Sequence, residues 1–478
     1  MSFVLYDLIF LAIFVLITVF FLYSKRSNLK RQGILFLYHT KFGLKIIEST
    51  TKRFKKILKP LQYIVIVSGY ALMALMLWMI LRFSYFYLTS PTIAKELKIP
   101  VLLPLFPYLP DLFKVDFLPP FYFTYWIIII AIIAIPHEFF HGIFARLNNI
   151  KVHSTGFGFL GPFLAAFVEP DEKQMAKRGK FVQLSVLGAG TFANVLLTII
   201  FAIILWFFFI VSFSPTGVYF DGYTISVIST SSINSINGFP VTSPENLSQL
   251  TNINSTFINI TSDNKVYHTT PEIVKASLSN NLNLIGAYDD SPAFKAQLNG
   301  AITSVDNVKI RSYQELVQEI QSHSPGDEVQ IQTYTLEGIK NYNITLDDRN
   351  GSAFLGISRR NINLQGRGLL SSFSQNFYKI IDPLKYNQYF NGLLFKSNIG
   401  DFGIFIYDLL WWLVLINLSL ALVNMLPVGI FDGGRFFYLT VLAITKNKKF
   451  SENAFKFSTG FLLLIILLLM VKWVFAVI

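Results

Sequence analysis

The chain has 478 residues, of which 53% are apolar and only 14% are charged. A soluble domain usually carries about 25% charged residues, so this composition indicates a membrane protein. The net charge of +12 does not indicate a nucleic-acid groove, because Lys and Arg cluster in short stretches beside apolar runs, as they do in cytoplasmic membrane loops. We therefore expect no nucleic-acid partner. Cysteine is absent, so any metal must be held by His and carboxylate side chains.

Six apolar runs are long enough to cross a hydrocarbon core of about 30 Å as helices. In chain order they cover residues 3–23, 61–88, 121–147, 181–213, 402–426 and 455–478. The sequence therefore predicts an α-helical polytopic membrane protein with about six transmembrane helices, in contact with the lipid bilayer.

The basic segments predict the orientation of these helices in the cell membrane. The first run is followed directly by Lys25 and Arg26, which is the reverse of a cleavable signal peptide, so we expect a retained anchor with its N-terminus outside. Residues 1–60 then comprise this anchor and a basic cytoplasmic segment, which either lies on anionic headgroups or forms a solvated loop. Counted from there, every predicted inside loop is basic, as the positive-inside rule requires.

A polar insertion separates the fourth and fifth runs. Residues 214–395 are rich in Ser, Thr, Asn, Asp and alternating β-branched residues, which predicts a soluble, strand-rich insertion. Five Asn-x-Ser/Thr acceptor sequences fall in it, at Asn246, Asn254, Asn259, Asn343 and Asn350. Because such acceptors are used outside the cell, they agree with an outside insertion and with a metal site near the cytoplasmic face.

The third run contains the pattern His-Glu-x-x-His. His137 and His141 are four residues apart, so a helix presents both imidazoles on one face, where they can bind one Zn²⁺. Glu138 lies beside them and can serve as general base for a water molecule that attacks a peptide bond. The alternative is a polar helix face satisfied by neighbouring helices. Ionisable groups in a membrane helix are costly and usually functional, which favours the metal site.

A second motif follows the fifth run and contains a candidate third ligand. A catalytic zinc takes three protein ligands and keeps one position open. The motif runs from Asn424 through Pro427 to Asp432-Gly433-Gly434. Its Pro and Gly residues end the helix and leave Asp432 at the inner membrane edge, the depth expected for His137. Taken alone, Asp-Gly-Gly would be an ordinary turn.

Together the two motifs resemble the site-2 protease family of intramembrane metalloproteases, and we expect an archaeal member. The resemblance implies that Asp432 is the third ligand of one Zn²⁺ per chain and that Asn424 and Pro427 lie near the active site. It also implies that the substrates are transmembrane segments of other proteins. The family often has Leu before the Asp; here Phe431 stands in its place, an apolar change that we do not expect to affect ligation.

Two further stretches of the predicted membrane core, residues 61–213 and 402–478, fit this family. Residues 156–169 resemble a short membrane-dipping, β-like loop that can pair with an extended substrate. Residues 188–194 resemble a motif of small residues followed by an Asn. Small residues allow close helix packing and Asn194 can hydrogen-bond across the helix pair, so Asn194 is either a packing residue or part of the active site.

The insertion resembles a PDZ domain of the bacterial, permuted type over residues 290–357. Its closing Leu355-Gly356-Ile357 matches the loop whose backbone N–H groups receive a peptide C-terminus by strand addition. We therefore expect a PDZ-like domain at 281–358, after a degenerate copy or β-rich segment at 214–280 and before a linker or interfacial segment at 359–401. A plain β-rich insertion is the alternative.

Two other functions are compatible with parts of this pattern. Another group of multi-pass zinc proteases carries His-Glu-x-x-His, but its members take a downstream Glu as third ligand and lack a PDZ-like insertion. A non-catalytic receptor would use the insertion to bind peptides and a metal only for structure; a structural site has no need of the base Glu138. The four remaining histidines are predicted to be surface residues: His39, His153, His268 and His323.

Overall fold

The computed structural model describes residues 3–33, 35–89, 106–112, 118–160, 163–220, 222–242, 257–279, 283–335, 338–358, 389–390 and 393–477. The chain divides into two compact units. Met1–Val211 and Ile404–Ile478 form one, here called the membrane unit, and Ser212–Gly403 forms the other, here called the inserted unit.

The first part of the membrane unit is mainly helical and contains one antiparallel sheet. Its helices are α1 (Phe3–Ser24), α2 (Phe42–Arg53), α3 (Lys55–Thr89), α4 (Leu109–Leu112), α5 (Phe123–Leu147), α6 (Glu172–Ala176) and α7 (Lys180–Ser212). Its strands pair in chain order and are β1 (Leu29–Gln32), β2 (Leu35–Thr40), β3 (Val152–Leu160) and β4 (Phe163–Pro170).

The inserted unit is rich in strands. The strands are β5 (Phe213–Tyr219), β6 (Gly222–Tyr223), β7 (Ile225–Ser229), β8 (Ile233–Ile236), β9 (Phe239–Pro240), β10 (Ile258–Ser262), β11 (Lys265–Thr269), β12 (Leu284–Asp289), β13 (Ala301–Val305), β14 (Val308–Lys309), β15 (Glu328–Thr335), β16 (Gly338–Thr345), β17 (Asp347–Arg349), β18 (Ser352–Phe354), β19 (Ile357–Ser358), β20 (Tyr389–Phe390) and β21 (Leu393–Ser397). Its helices are α8 (Pro271–Ser279), α9 (Pro292–Lys295) and α10 (Tyr313–Ser322).

The chain ends in the membrane unit with α11 (Gly400–Asn424), α12 (Asp432–Thr445) and α13 (Lys448–Val477). Across the described residues, six helices are long and apolar enough to cross a membrane: α1, α3, α5, α7, α11 and α13. The predicted transmembrane helices are thus confirmed in number and place, and the chain is a polytopic membrane protein with an inserted α+β domain.

The basic segment after α1 forms regular strands and is not a solvated loop. Residues 29–40 form a hairpin whose second strand pairs with β3, with His39 opposite Gly156. The stretch from Gly156, predicted to be β-like, is the hairpin of β3 and β4. The solvated-loop alternative was wrong because it weighed the charges of the segment and overlooked the apolar run at its centre, which suits a strand.

Helix α2 lies directly against the zinc-motif helix α5. A Cβ on Gly43 would come within 2.8 Å of the Phe139 ring, and one on Gly142 would come within 2.8 Å of Ile47. Lipid tails are as apolar as these side chains, so close packing rather than burial from water holds helices together in a bilayer. Glycines at the contact therefore let α2 approach the helix that carries the two motif histidines.

The inserted unit contains two larger sheets, each with its own core. One has the strand order β7-β12-β11-β10-β8-β9, and the other has the order β16-β15-β13-β5-β21-β20. Strand β15 alternates between exposed and buried residues, as a half-buried strand should. Ile302, Val329 and Ile331 form the centre of the second core, which α10 covers with Leu316.

The second sheet recruits strands from both ends of the insertion, which differs from the predicted division. Strand β5 was expected in the segment 214–280 and β21 in the linker 359–401, yet β5 pairs with both β13 and β21. Local patterns do not reveal such pairing, since the partners are far apart in the chain. Most of the predicted linker lies outside the described residues.

Candidate active site

Two helices bring the predicted metal-binding residues together. On α5, His137 Nε2 and His141 Nε2 are 3.2 Å apart. Asp432, the first residue of α12, places its Oδ2 atom 3.5 Å from His137 Nε2 and 3.3 Å from His141 Nε2. Within the described ranges, this is the group of three side chains whose ligand atoms are close enough to hold one metal ion.

Asp432 reaches this position because the chain turns tightly between α11 and α12. A Cβ on Gly433 would lie 2.3 Å from the Met425 carbonyl carbon, and one on Gly434 would lie 2.3 Å from a backbone oxygen in the same turn. Only glycine fits such an approach. The turn is therefore built to bring the start of α12 against α11, which an ordinary exposed Asp-Gly-Gly turn does not require.

The two other predicted residues of this motif flank the turn. Asn424 is the last residue of α11 and is half-buried. Pro427 is buried, and its carbonyl oxygen accepts a hydrogen bond from Ser458 Oγ at 3.0 Å. This hydrogen bond connects the turn to α13 and so helps to hold Asp432 in position.

Hydrogen bonds orient both imidazoles. His141 Nδ1 donates to the Val186 carbonyl oxygen at 2.7 Å, which leaves Nε2 free to bind a metal. The amide of the fully buried Asn194 lies 3.1 Å from His137 Nδ1. The nitrogen and oxygen of an amide exchange places by a half turn. With its oxygen, otherwise unpartnered, facing the ring, Asn194 accepts from Nδ1 and leaves His137 Nε2 free as well.

Gly190 leaves the space that a metal ion needs. A Cβ at this position would lie 2.3 Å from His141 Nε2 and 2.6 Å from His137 Nε2, between the two free nitrogens. Gly188 behaves differently: its Cβ would meet Val65 of α3 at 3.2 Å, an ordinary tight helix contact. The sequence indicated only helix packing for both glycines. Two imidazole nitrogens, one carboxylate oxygen and an open space fit a catalytic zinc site.

Asp432 and the two imidazoles also affect one another electrostatically. Burial disfavours the charged form of Asp432, but the neighbouring His141 and His137 outweigh this effect and hold the pKa of the Asp432 carboxyl below its usual range.

Glu138 lies on α5 and also contacts the sheet. Its Oε2 atom accepts a hydrogen bond from the Val168 backbone N–H at 3.0 Å. Val168 belongs to β4, the strand at one end of the sheet order, so the outer edge of that strand supplies the N–H. No residue type marks a backbone donor, and the sequence therefore did not reveal this contact.

Comparison with known proteins shows the family. The sequence profile of peptidase family M50 matches residues 125–469 of the chain. The chain belongs to peptidase family M50. This confirms the resemblance to site-2 proteases, and the match spans both motifs.

Two individual proteins are similar to parts of this M50 peptidase. The zinc metalloprotease RasP of Shouchella clausii (strain KSM-K16) is 26% identical over 234 residues, which cover 41% of the chain and 51% of RasP. The chain thus matches about half the length of that relative. A crystal structure of the PDZ domain of an SdrC-like protein from Listeria monocytogenes is 31% identical over 14% of the chain and 75% of that domain. Its TM-score of 0.14 carries no argument about the fold.

A groove runs along α10 in the inserted unit of the M50 peptidase. It is lined by Tyr313, Leu316, Val317, Ile320, Gln321 and residues 353–357. The predicted loop is held in place by backbone hydrogen bonds: the Leu355 oxygen accepts from Ala293 N at 2.9 Å and the Gly356 oxygen accepts from Thr224 N at 3.0 Å. Ile357 begins β19 and pairs with β6. The loop therefore forms one wall of a groove whose exposed lining is about half apolar and half polar.

The four remaining histidines lie outside the metal cluster. The side chain of His153 is 44% exposed, as predicted for a surface residue, but those of His39 and His323 are only 22% and 20% exposed and that of His268 is the least exposed. Only 14% of the His268 side chain is exposed. Its ring stacks on Phe294 at 4.3 Å and lies 2.9 Å from Asp290. His268 is therefore a packing residue of the inserted unit, a role that depends on contacts the local sequence does not show.

Proposed function

We propose that the chain is an intramembrane zinc metallopeptidase that hydrolyses peptide bonds in transmembrane segments of other membrane proteins. The observation that carries the proposal is that Asp432 of α12 lies against His137 and His141, which are next to Glu138 on a helix long and apolar enough to cross a membrane. Three ligands from one chain correspond to one Zn²⁺ per chain.

Each residue around the site has a defined role in the proposed reaction. Zinc held by the two imidazoles and Asp432 would supply a Lewis acid that acidifies a water molecule and polarises the scissile carbonyl. Glu138 accepts the proton of the attacking water and later passes it to the leaving amine. Val168 N–H holds Oε2 of Glu138 and leaves the other carboxylate oxygen for this transfer. Asn194 keeps the His137 ring oriented.

The edge of β4 supports an extended substrate. An added strand hydrogen-bonds to the exposed edge of a sheet through its backbone, and the N–H at this edge already reaches Glu138. A substrate strand paired with β4 would pass beside the metal site. A transmembrane helix must therefore unwind locally before it is cleaved, which favours substrates whose helix is weak near the inner membrane edge.

The groove along α10 supports a selective role for the inserted unit. The loop at Leu355, Gly356 and Ile357 would receive a peptide C-terminus, and the apolar wall around Leu316 and Ile320 favours an apolar last residue. Binding there would distinguish proteins with a freshly exposed C-terminus from proteins that have not been trimmed, and so act as a filter.

The central test compares two substitutions at the site with one outside it. Glu138→Gln should keep its zinc and lower cleavage of a model transmembrane substrate about 10²- to 10⁴-fold, because it removes the base and no ligand. Asp432→Ala should lose zinc as well as activity. Glu452→Gln on α13, an exposed carboxyl with a Lys448 partner, is the control and should behave like the parent chain. Near-normal turnover by Glu138→Gln would contradict the proposal.

Orientation can be tested with single cysteines, because the chain has none of its own. We propose that the inserted unit lies outside and that the loop before α13 lies in the cytoplasm. An impermeant maleimide should label Asn350→Cys in intact cells, and should label Lys448→Cys only after the membrane is opened. The reverse pattern would overturn the orientation.

A further inference from the structure

A bidentate ion pair connects two elements that flank the metal site. Arg435 Nη1 donates to Glu172 Oε1 at 2.9 Å, and Nη2 donates to Oε2 at 2.7 Å. Glu172 is the first residue of α6, directly after β4, and Arg435 lies in the first turn of α12. Within the membrane unit, Lys52 and Glu48 pair along one helix, whereas Arg146 of α5 pairs with Glu48 of α2 at 3.3 Å.

The ion pair closes a ring around the site. Asp432 begins α12 and contacts His141 of α5 at 3.3 Å. The same helix α5 carries Glu138, which is bound to Val168 of β4 at 3.0 Å. Strand β4 leads to Glu172, and Glu172 binds Arg435, one turn beyond Asp432. The pair thus joins the strand that holds the base to the helix that carries the predicted third ligand.

Exposure makes the pair a weak contributor to folding. The side chains of Arg435 and Glu172 are 39% and 64% exposed, and exposed ion pairs add little to stability. Bidentate geometry nevertheless fixes the direction of both partners, because the planar guanidinium matches the two carboxylate oxygens. The effect of the pair should therefore appear in the geometry of the site more than in the stability of the chain.

We propose that Glu172 and Arg435 are positioning residues of the peptidase, which hold β4 and its bound Glu138 at the working distance from Asp432. The proposal rests on the peptidase function proposed above. Neither residue touches substrate or metal. When the pair is broken, β4 can move away from α12. Glu138, which is bound to β4, then loses its alignment with the water that attacks the peptide bond. The metal ligands keep their positions on α5 and α12.

The first experiment is a charge swap in the full chain, reconstituted in vesicles. Glu172→Arg and Arg435→Glu should each lower kcat about 10- to 100-fold, the scale of a small misplacement of a catalytic group. Zinc content should stay at the parent level and KM should change little. The double swap should recover most of kcat, and Arg435→Lys should recover less because Lys binds as a point charge. The control swaps the Lys448–Glu452 pair of α13 and should leave kcat unchanged.

The second experiment does not depend on the swapped pair forming. Glu172→Cys with Arg435→Cys in this cysteine-free chain can be joined by a short bismaleimide. The unlinked variant should show the reduced kcat, and cross-linking should raise it. Parent-like kcat in the single variants would overturn the positioning role, and so would reduced kcat that neither the double swap nor the cross-link raises. Failure of the parent chain to cleave any substrate would instead contradict the peptidase function.

Discussion

The metal centre and the groove along α10 are built in opposite ways. The centre combines side chains from α5 and α12, which lie far apart in the chain, and takes support from α7 and β4. The groove combines one helix with one nearby loop, all within residues 313–357. The centre depends on the positions of a few polar atoms, whereas the groove depends on backbone shape and an apolar wall. A small error of position should therefore damage the centre far more.

The surroundings of the two regions differ as well. In the inserted unit, burial of side chains such as Ile302 and Val329 stabilises the fold, by about 1.5–3 kcal/mol for each large apolar side chain. In the membrane unit, helices gain little from burial against lipid-like neighbours, so close packing at glycines decides their positions.

The largest effect is expected at Gly190. Gly190→Ala places a methyl group between His141 Nε2 and His137 Nε2, so we expect loss of zinc and at least a 100-fold loss of cleavage, on the scale of a lost site geometry. Gly188→Ala, whose methyl meets only Val65 at 3.2 Å, should keep its zinc. Metal analysis of the purified variants checks both. Full zinc occupancy in Gly190→Ala would show that the metal does not use this space.

A smaller effect is expected at Asn194. Asn194→Ala removes the partner of His137 Nδ1, and loss of such an orienting contact typically lowers metal affinity 10- to 100-fold. Competition with a chelator measures the change. Thr198→Ala is the control, because that hydroxyl donates to the Asn194 carbonyl oxygen and its loss should leave the affinity unchanged. Equal affinities for both variants would assign Asn194 to helix packing alone.

In the groove, the effect of a substitution at Gly356 can be compared with that of the same substitution at Gly351. Both have positive φ, +87° and +81°, but a Cβ on Gly356 would lie 2.1 Å from Ser291 Cβ, whereas nothing lies within 4 Å of one on Gly351. Gly356→Ala should therefore weaken binding of a peptide with an apolar C-terminus at least tenfold, and Gly351→Ala should not. Fluorescence anisotropy of a labelled peptide measures binding. Zinc content should stay normal in both variants; loss of zinc with Gly356→Ala would contradict the separation of the two regions.

The smallest effect concerns the end of α10. His323 Nδ1 donates to the Glu319 carbonyl oxygen at 2.9 Å. This bond, aided by Asp306 and opposed by burial, raises the pKa of His323. The contribution of this bond to the stability of α10 is therefore complete below the ordinary His pKa of about 6.5. It fades as the pH rises through the raised pKa of His323. Amide exchange in α10 should be slightly faster at pH 8.5 than at pH 6, after correction for intrinsic rates. His323→Gln should remove the difference, and an unchanged difference would assign it to another group.

Much of the membrane unit could be predicted from local pattern. Apolar runs of about 20 residues must form helices in a bilayer, because every backbone polar group needs an internal partner there. The helical repeat likewise places His137 and His141 on one face, whatever surrounds them. Asp432 was identified through the resemblance of its motif to site-2 proteases, since an Asp-Gly-Gly turn has many uses.

Tertiary structure alone decided the rest, because the contacts involve groups that carry no signature in the sequence. A backbone N–H such as that of Val168 is present in every residue except proline, and the space beside Gly190 exists only where two helices meet. The pairing of β2 with β3, and of β5 with β13 and β21, joins segments that are distant in the chain. The sequence by itself determined which residues can do the chemistry. The packing of α5, α7, α12 and β4 decided whether those residues meet, because contact between them depends on distances across the fold rather than on spacing along the chain.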